Sequence, residues 1–446
     1  MVLSPAGFAA PQDEQVGAID ALRGVALCGI LLVNIVGGSS IEIDHPLRSP
    51  LGAPADWDLW WAQSVYVEGA MRGLFTLLFG GSFLLFMAKA DRGAPEGEVR
   101  RLFLRRLFWL FMFGVIDNTL LLWPGDILVI YAPAGLILLP VWRWPARRLL
   151  VLAAVLLMAV SAGSVLRSQR PLAAAARGPA LEAAARHGER LSSADAKTLK
   201  RWREMRQGVH EDPKATATER RARLGGYGAN LAFMTRTAID WTLDWSTLWW
   251  IGDAAALFVL GMALFKTGVL QGDASPWLYV ALVAAGYGLG LPIRGWQSGL
   301  EWRAALGGFA PEPWQVWAPA VLSQWSRTLV TLGHLGLFHV LWRIAPMLFA
   351  PFKALGRMAL TGYLGQSALA ALAFSGFGLG LWGRLTWPGL LATAVAIMAI
   401  ELVASAVWLT FFRMGPLEWI WRTLTYGKAP ALLRSAPLAE APGAPS

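Results

Sequence analysis

From Leu390 to Phe412 the chain reads LLATAVAIMAIELVASAVWLTFF, a run in which Glu401 is the only charge. A helix rising about 1.5 Å per residue over that length crosses the roughly 30 Å of hydrocarbon in a bilayer. Leu74 to Ala88 and Leu149 to Val160 repeat the pattern at lengths near a crossing. The whole chain agrees with these runs. Its 446 residues are 56% hydrophobic and 15% charged, with a mean hydropathy of +0.47, outside the balance of a water-soluble domain. Lipid is the solvent such a chain implies. Backbone groups in hydrocarbon are satisfied only within a helix or a closed barrel, and barrel strands alternate in polarity residue by residue. These runs do not alternate, so the fold class is all-α, a polytopic integral membrane bundle.

Working outward, the spans fall near 21–38, 73–90, 103–122, 126–143, 149–166, 246–266, 276–293, 319–341, 356–378 and 388–412, about ten in all. Many of the 24 Trp, such as Trp60, Trp123, Trp249 and Trp387, stand at the ends of runs, where an indole anchors at headgroup level. The spans form two halves, residues 1–166 and 245–428. Between them, residues 167–244 make a polar insert with helical propensity, punctuated at Gly178-Pro179, Gly208 and Gly225-Gly226. The Ala- and Pro-rich tail, 429–446, is expected to be disordered.

The first fifteen residues carry acids and no base, and no cleavage site follows the first run, so that run is expected to be a retained span. The short-loop bias of Lys and Arg puts both termini on the cytoplasmic side of a bacterial inner membrane and the insert on the other. The net charge of +10 is spread over run ends without a basic stripe, which argues for lipid headgroups as counter-charge and against nucleic acid. The single Cys28 excludes an intrachain disulfide and a Cys-based metal site. A second copy of the chain is a candidate partner.

Ionisable groups inside spans are costly and draw a functional hypothesis by default. The buried candidates are Asp117, Asp126, Asp253, Arg327 and Glu401; the plain alternative is that they pair to hold helices together, with Asp126 and Arg23 at interfaces. Asp20 precedes Arg23 by three residues, on one helical face. Asn34 ends the first span, and His45 follows in a loop with Glu42 and Asp44. An Asn can orient a carbonyl oxygen, and a His beside carboxylates can serve as a general base, although both can equally be structural. His334 and His339 are five apart and do not share the face that metal ligands at i and i+4 would. No metal site is expected. His187 and His210 lie among the charges of the insert.

The stretch from Ile19-Asp20-Ala21-Leu22-Arg23-Gly24 through Asn34 resembles the opening of the YeiB-like bacterial membrane proteins, a family of unknown function. Leu77–Phe83, Trp123–Leu128, Gly356–Ser367 and Gly415–Gly427 resemble its later blocks. Asp20 to Gly38 is also similar, more distantly, to the first span of transmembrane acyltransferases of the heparan-α-glucosaminide N-acetyltransferase type. That similarity implies acetyl-CoA as donor, with Asn34 and His45 as the reacting-centre residues and an outward glycan or lipid-linked acceptor. Arg23, Arg105, Arg106 and Arg357 would then form a basic opening for the CoA phosphates. A small-solute or proton-coupled transporter, and a noncatalytic membrane scaffold, are the competing functions.

Overall fold

The computed structural model describes residues 12–39, 54–90, 95–208 and 212–434. His45 and His210 lie outside the described residues. Within them the chain is helical, and its one strand-like contact is an isolated backbone bridge between Phe412 and Leu433.

The first half opens with α1 (Gln12–Ser39), then α2 (Pro54–Ala62), joined by a π-helical turn, Gln63–Val67, to α3 (Ala70–Ala90). It continues with α4 (Glu96–Thr119), the short α5 (Ile127–Gly135) and α6 (Leu138–Val141), and α7 (Ala146–Arg167). Four helices make the insert: α8 (Gln169–Arg186), α9 (Ser193–Gln207), α10 (Pro213–Arg223) and α11 (Tyr227–Leu243). The second half holds α12 (Thr247–Lys266) and α13 (Pro276–Ala285), then a second π-helical turn, Gly286–Gly290, that leads into α14 (Leu291–Leu306). After them come α15 (Pro313–Ile344), α16 (Ala350–Arg357), α17 (Ala359–Phe374), α18 (Trp387–Phe411) and α19 (Pro416–Tyr426).

Six of the described helices are long and apolar enough to cross a membrane by length and composition: Gly17–Gly38, Ala55–Ala88, Ala146–Arg167, Thr247–Lys266, Pro276–Leu306 and Trp387–Phe411. The apolar α17 is shorter, and α4, α5–α6 and α15 pack beside them.

Two seams without side chains hold the bundle centre. A methyl group on Gly24 would strike the Phe352 carbonyl and one on Gly356 the Asp20 carbonyl, so α1 and α16 touch backbone to backbone. Gly80 and Gly261 do the same for α3 and α12, against the carbonyls of Phe258 and Leu77. Small residues permit such approach, and in lipid close packing rather than hydrophobic burial drives helix association. Around the second seam Tyr131, Phe79 and Phe258 pack ring on ring, with Phe79 and Phe258 centroids 4.5 Å apart.

Several expectations need correction. The segment before α3 is helical from Pro54, because Trp57 and Trp60 bury against the bundle and the buried Asp56 accepts from the Trp387 N–H at 3.0 Å. Gly178-Pro179 does not break α8: the missing Cβ at Gly178 admits the Trp202 indole, and that packing holds the helix through the proline. Part of the expected disordered tail is ordered as well. Arg413 N–H donates to the Leu432 carbonyl at 2.8 Å, and Arg434 N–H to that of Phe411 at 3.0 Å. The remainder of that tail, 435–446, lies outside the described residues.

Candidate functional site

Helix α1 borders two cavities, one near each end. The eleven positions from Arg23 to Asn34 span about 16 Å along the axis.

The basic chamber, about 310 Å³, lies at the Arg23 end and is lined by Arg23, Arg106, Arg357 and Arg422 together with Phe79, Phe86, Phe103, Tyr131, Tyr363 and Trp421. Each arginine is held differently. Arg23 donates to Asp20 Oδ1 at 2.9 Å, Ser82 Oγ at 3.1 Å and the Gly356 carbonyl at 3.2 Å. Arg357 donates to the Arg413 carbonyl at 3.0 Å. The half-buried Arg106 guanidinium lies 3.8 Å from the Trp421 ring centroid and 5.2 Å from that of Phe86, with no carboxylate or carbonyl partner among the described residues. Glu418 does not neutralise it. Its carboxylate caps the start of α17, accepting from Leu360 N at 2.6 Å, Thr361 N at 3.2 Å and Thr361 Oγ1 at 2.6 Å.

Arg105, grouped with Arg106 in the sequence, points elsewhere. One residue turns a helix by about 100°, and Arg105 instead donates to the Leu424 carbonyl at 2.7 Å, tying α4 to α19. Arg422, which is not among the residues the sequence suggests for the basic opening, lines the chamber as well, and the amphipathic α19 that carries it is the available signal.

At the opposite end, a chamber of about 630 Å³ is lined by Asn34, Gln63, Ser64, Glu68 and Glu301 and by three indoles, Trp60, Trp123 and Trp387. Asn34 lines it from the penultimate turn of α1. The insert folds as a cap at this end. Gly308 N–H donates to the Arg206 carbonyl at 2.7 Å and Gly376 N–H to that of Arg223 at 2.9 Å. Asn230 Nδ2 also donates to Ser375 Oγ at 2.8 Å, and the Tyr227 hydroxyl to the Leu120 carbonyl at 2.8 Å.

The buried charges sort into three groups. Asp253 receives Arg72 at 2.5 Å, Arg327 at 3.7 Å and the Gln324 amide, joining α3, α12 and α15. Glu401 accepts from Gln366 Nε2 at 3.0 Å. Asp117 and Asp126 are fully buried, and Asp117 Oδ2 accepts from Ser367 Oγ at 3.1 Å. Asp126, one of the buried candidates, is an interior group and not at an interface, its plain alternative. It also caps α5 by accepting from Leu128 N at 2.7 Å and Val129 N at 3.3 Å, which offsets the cost of placing it there. His334 bridges the Tyr287 hydroxyl and the Tyr66 carbonyl, each at 2.7 Å, and His339 packs on Tyr279.

Helices of membrane-spanning length with buried charge networks define an integral membrane protein. Residues 264–428 match the family described as "Protein of unknown function (DUF418)". The chain is 30% identical to an uncharacterized 39.9 kDa protein in the amylase 3'region of Bacillus acidopullulyticus, over 95% of this chain and 97% of that one. It is 28% identical to the uncharacterized protein YeiB of Escherichia coli (strain K12), over 94% and 98% of the two chains. With YxaH of Bacillus subtilis (strain 168) the identity is 27%, over 93% and 95%. The chain therefore belongs to the YeiB-like, DUF418 family. No solved structure matches it.

Proposed function

We propose that this protein is a transmembrane acyltransferase that takes an acyl group from acyl-CoA in the basic chamber and delivers it to an acceptor in the tryptophan-lined chamber. The observation that carries the reading is Arg106. A guanidinium half-buried among rings without an anion costs several kcal/mol, and Arg23, Arg357 and Arg422 share its chamber. Such a cluster fits the phosphates of a nucleotide thioester, while the aromatic floor fits the arm that carries its thioester from them toward Asn34.

The chamber at the other end suits the acceptor. Three indole faces and a set of amide and carboxylate groups match the C–H faces and hydroxyls of a sugar or a lipid-linked sugar. In this reading Asn34 positions the thioester carbonyl, and His45, just beyond α1, takes the proton of the attacking amine or hydroxyl. In this reading the basic chamber and both termini face the cytoplasm across the inner membrane and the cap lies outside, which the Lys and Arg bias supports.

Thermal unfolding of the detergent-purified protein with acetyl-CoA, free CoA and ATP tests it. Both CoA species are expected to stabilise, by about 2.7 kcal/mol at a hundredfold excess over Kd, and ATP less. Arg106→Glu is expected to remove the effect. Absence of any CoA shift at saturating concentration, with the protein folded, would turn the reading toward a small-solute transporter.

A further inference from the structure

A third pocket, about 210 Å³, adjoins the tryptophan chamber and shares Val36, Gln63 and Trp387 with it as wall residues. The π-helical turn after α2 runs between the two. Ser64 and Glu68 line the tryptophan chamber, Tyr66 and Val67 line the third pocket, and Gln63 lines both. That dividing wall is pinned from α14, where Arg294 Nε donates to the Ser64 carbonyl at 3.0 Å and the Ser298 and Ser64 hydroxyls are hydrogen-bonded at 2.8 Å. π-helical turns set within helices recur at functional sites.

The two spaces differ in chemistry. The tryptophan chamber offers amides, a hydroxyl and carboxylates, whereas Leu32, Ile35, Leu59, Ala62, Val67 and Leu390 make the third pocket largely hydrocarbon. Its rim reaches the outer surface of the bundle at Tyr66 and Leu391, which are 44% and 37% exposed. Leu391 begins a strip of exposed apolar side chains, continued by Val395, Val403 and Val407, along the face that the spanning helix α18 turns to lipid. Trp387 opens α18 at the level where indoles anchor, and Leu390 and Leu391 lie one turn further in, about 5 Å along the axis. That is the depth at which the chains of a lipid begin.

We infer that the acceptor is a glycolipid that enters sideways, its uncharged, hydroxylated head in the tryptophan chamber and its chain in the third pocket, running out past Tyr66 and Leu391 into the bilayer. Each methylene drawn out of apolar surroundings weakens binding by about fourfold. A site for a lipid head therefore needs an apolar slot at chain depth that opens toward the bilayer, and a site for a free sugar needs none. Glu301 and Glu68, the latter 3.8 Å from Arg294, disfavour an anionic head. The name of acceptor rests on the acyl-transfer reading; the lipid site rests on the two pockets alone.

Photolabelling of the full chain in phosphatidylcholine nanodiscs tests the site without any acyl donor. The probe is a glucosyl lipid with a diazirine in its chain, and the control is a phosphatidylcholine with the same chain. The glucosyl probe is expected to label peptides around Leu59–Val67 and Trp387–Leu391, in competition with unlabelled glucosyl lipid and not with glucose. Ala62→Phe, which fills the slot, is expected to lower that labelling by about tenfold, the worth of roughly two methylenes kept from apolar surroundings. Leu391→Trp, at the exposed rim, carries the same expectation should Ala62→Phe fail to fold, and the labelled positions in the unaltered chain stand by themselves. Equal labelling by the control lipid, competition by glucose as strong as by the glucosyl lipid, or labelling unchanged in folded variants overturns the inference. Labelling as expected in a protein that transfers no acetyl group from acetyl-CoA to the glucosyl lipid defeats the acyl-transfer reading, and the name of acceptor with it, while leaving the lipid site in place.

Discussion

Asp253 shows how one buried side chain is committed by its neighbours. It lies 1% exposed between Arg72 and Arg327, with Gln324 completing its hydrogen bonds. Removing one partner from a buried ion cluster strands the others, at a cost of about 3–5 kcal/mol. Asp253→Ala is therefore expected to lower the unfolding free energy in detergent by that much, read as an earlier denaturation midpoint, and Asp253→Asn by less; unchanged unfolding of Asp253→Ala would show the arginines to be solvated. Sequence reasoning picks out Asp253 and Arg327 because each interrupts an apolar run. It misses Arg72, which a span beginning at 73 leaves in a loop. The helix in fact starts at Ala70, so Arg72 is carried into the bundle. Arg105 and Arg106 expose a second limit, since adjacent residues of one type are equal in composition and differ only in the direction a helix turns them.

At the scale of elements, the cap has its own small core, in which Ala174, Leu199 and Trp202 bury between α8 and α9. Glu182 joins the same two helices, accepting from Trp202 Nε1 at 3.1 Å and Arg206 at 2.8 Å. The Trp202 hydrogen bond above all, with Arg206 behind it, holds the Glu182 carboxyl below its usual range. A lowered folded value means that this contribution is present above the unfolded value of 4.5 and is lost as pH falls through the folded one. Trp202 fluorescence is expected to change on acidification below that value, and in Glu182→Gln to have lost that pH dependence; identical titrations would exclude the link. The apolar helices were legible from run length alone. Gly178-Pro179 was not, because a Gly-Pro pair signals a break unless a partner helix fills the space over the glycine, and that partner comes from 24 residues farther along the chain.

For the whole molecule, the sidedness read from Lys and Arg can be tested with cysteines, since the native Cys28 is buried and silent to impermeant reagents. Ala194→Cys, exposed on the cap, is expected to react in intact cells. Arg148→Cys, exposed at the start of α7, should react only once the membrane is opened. The opposite pattern would invert the protein and place the basic chamber outside. The class of fold and the basic residues were visible in the sequence, but the two chambers were not. They arise where helices distant in the chain, such as α1, α3, α17 and α19, leave space between them, and no local pattern encodes a void.

Helix α1 lines both chambers. Pressed against α16 at Gly24, it has no room to bend there, so a shift forced on its Arg23 end moves its Asn34 end as a rod. A ligand that shifted α1 from one chamber would alter binding in the other, and thermodynamic linkage would make that influence mutual: the factor by which the first changes the binding of the second equals the factor by which the second changes the binding of the first.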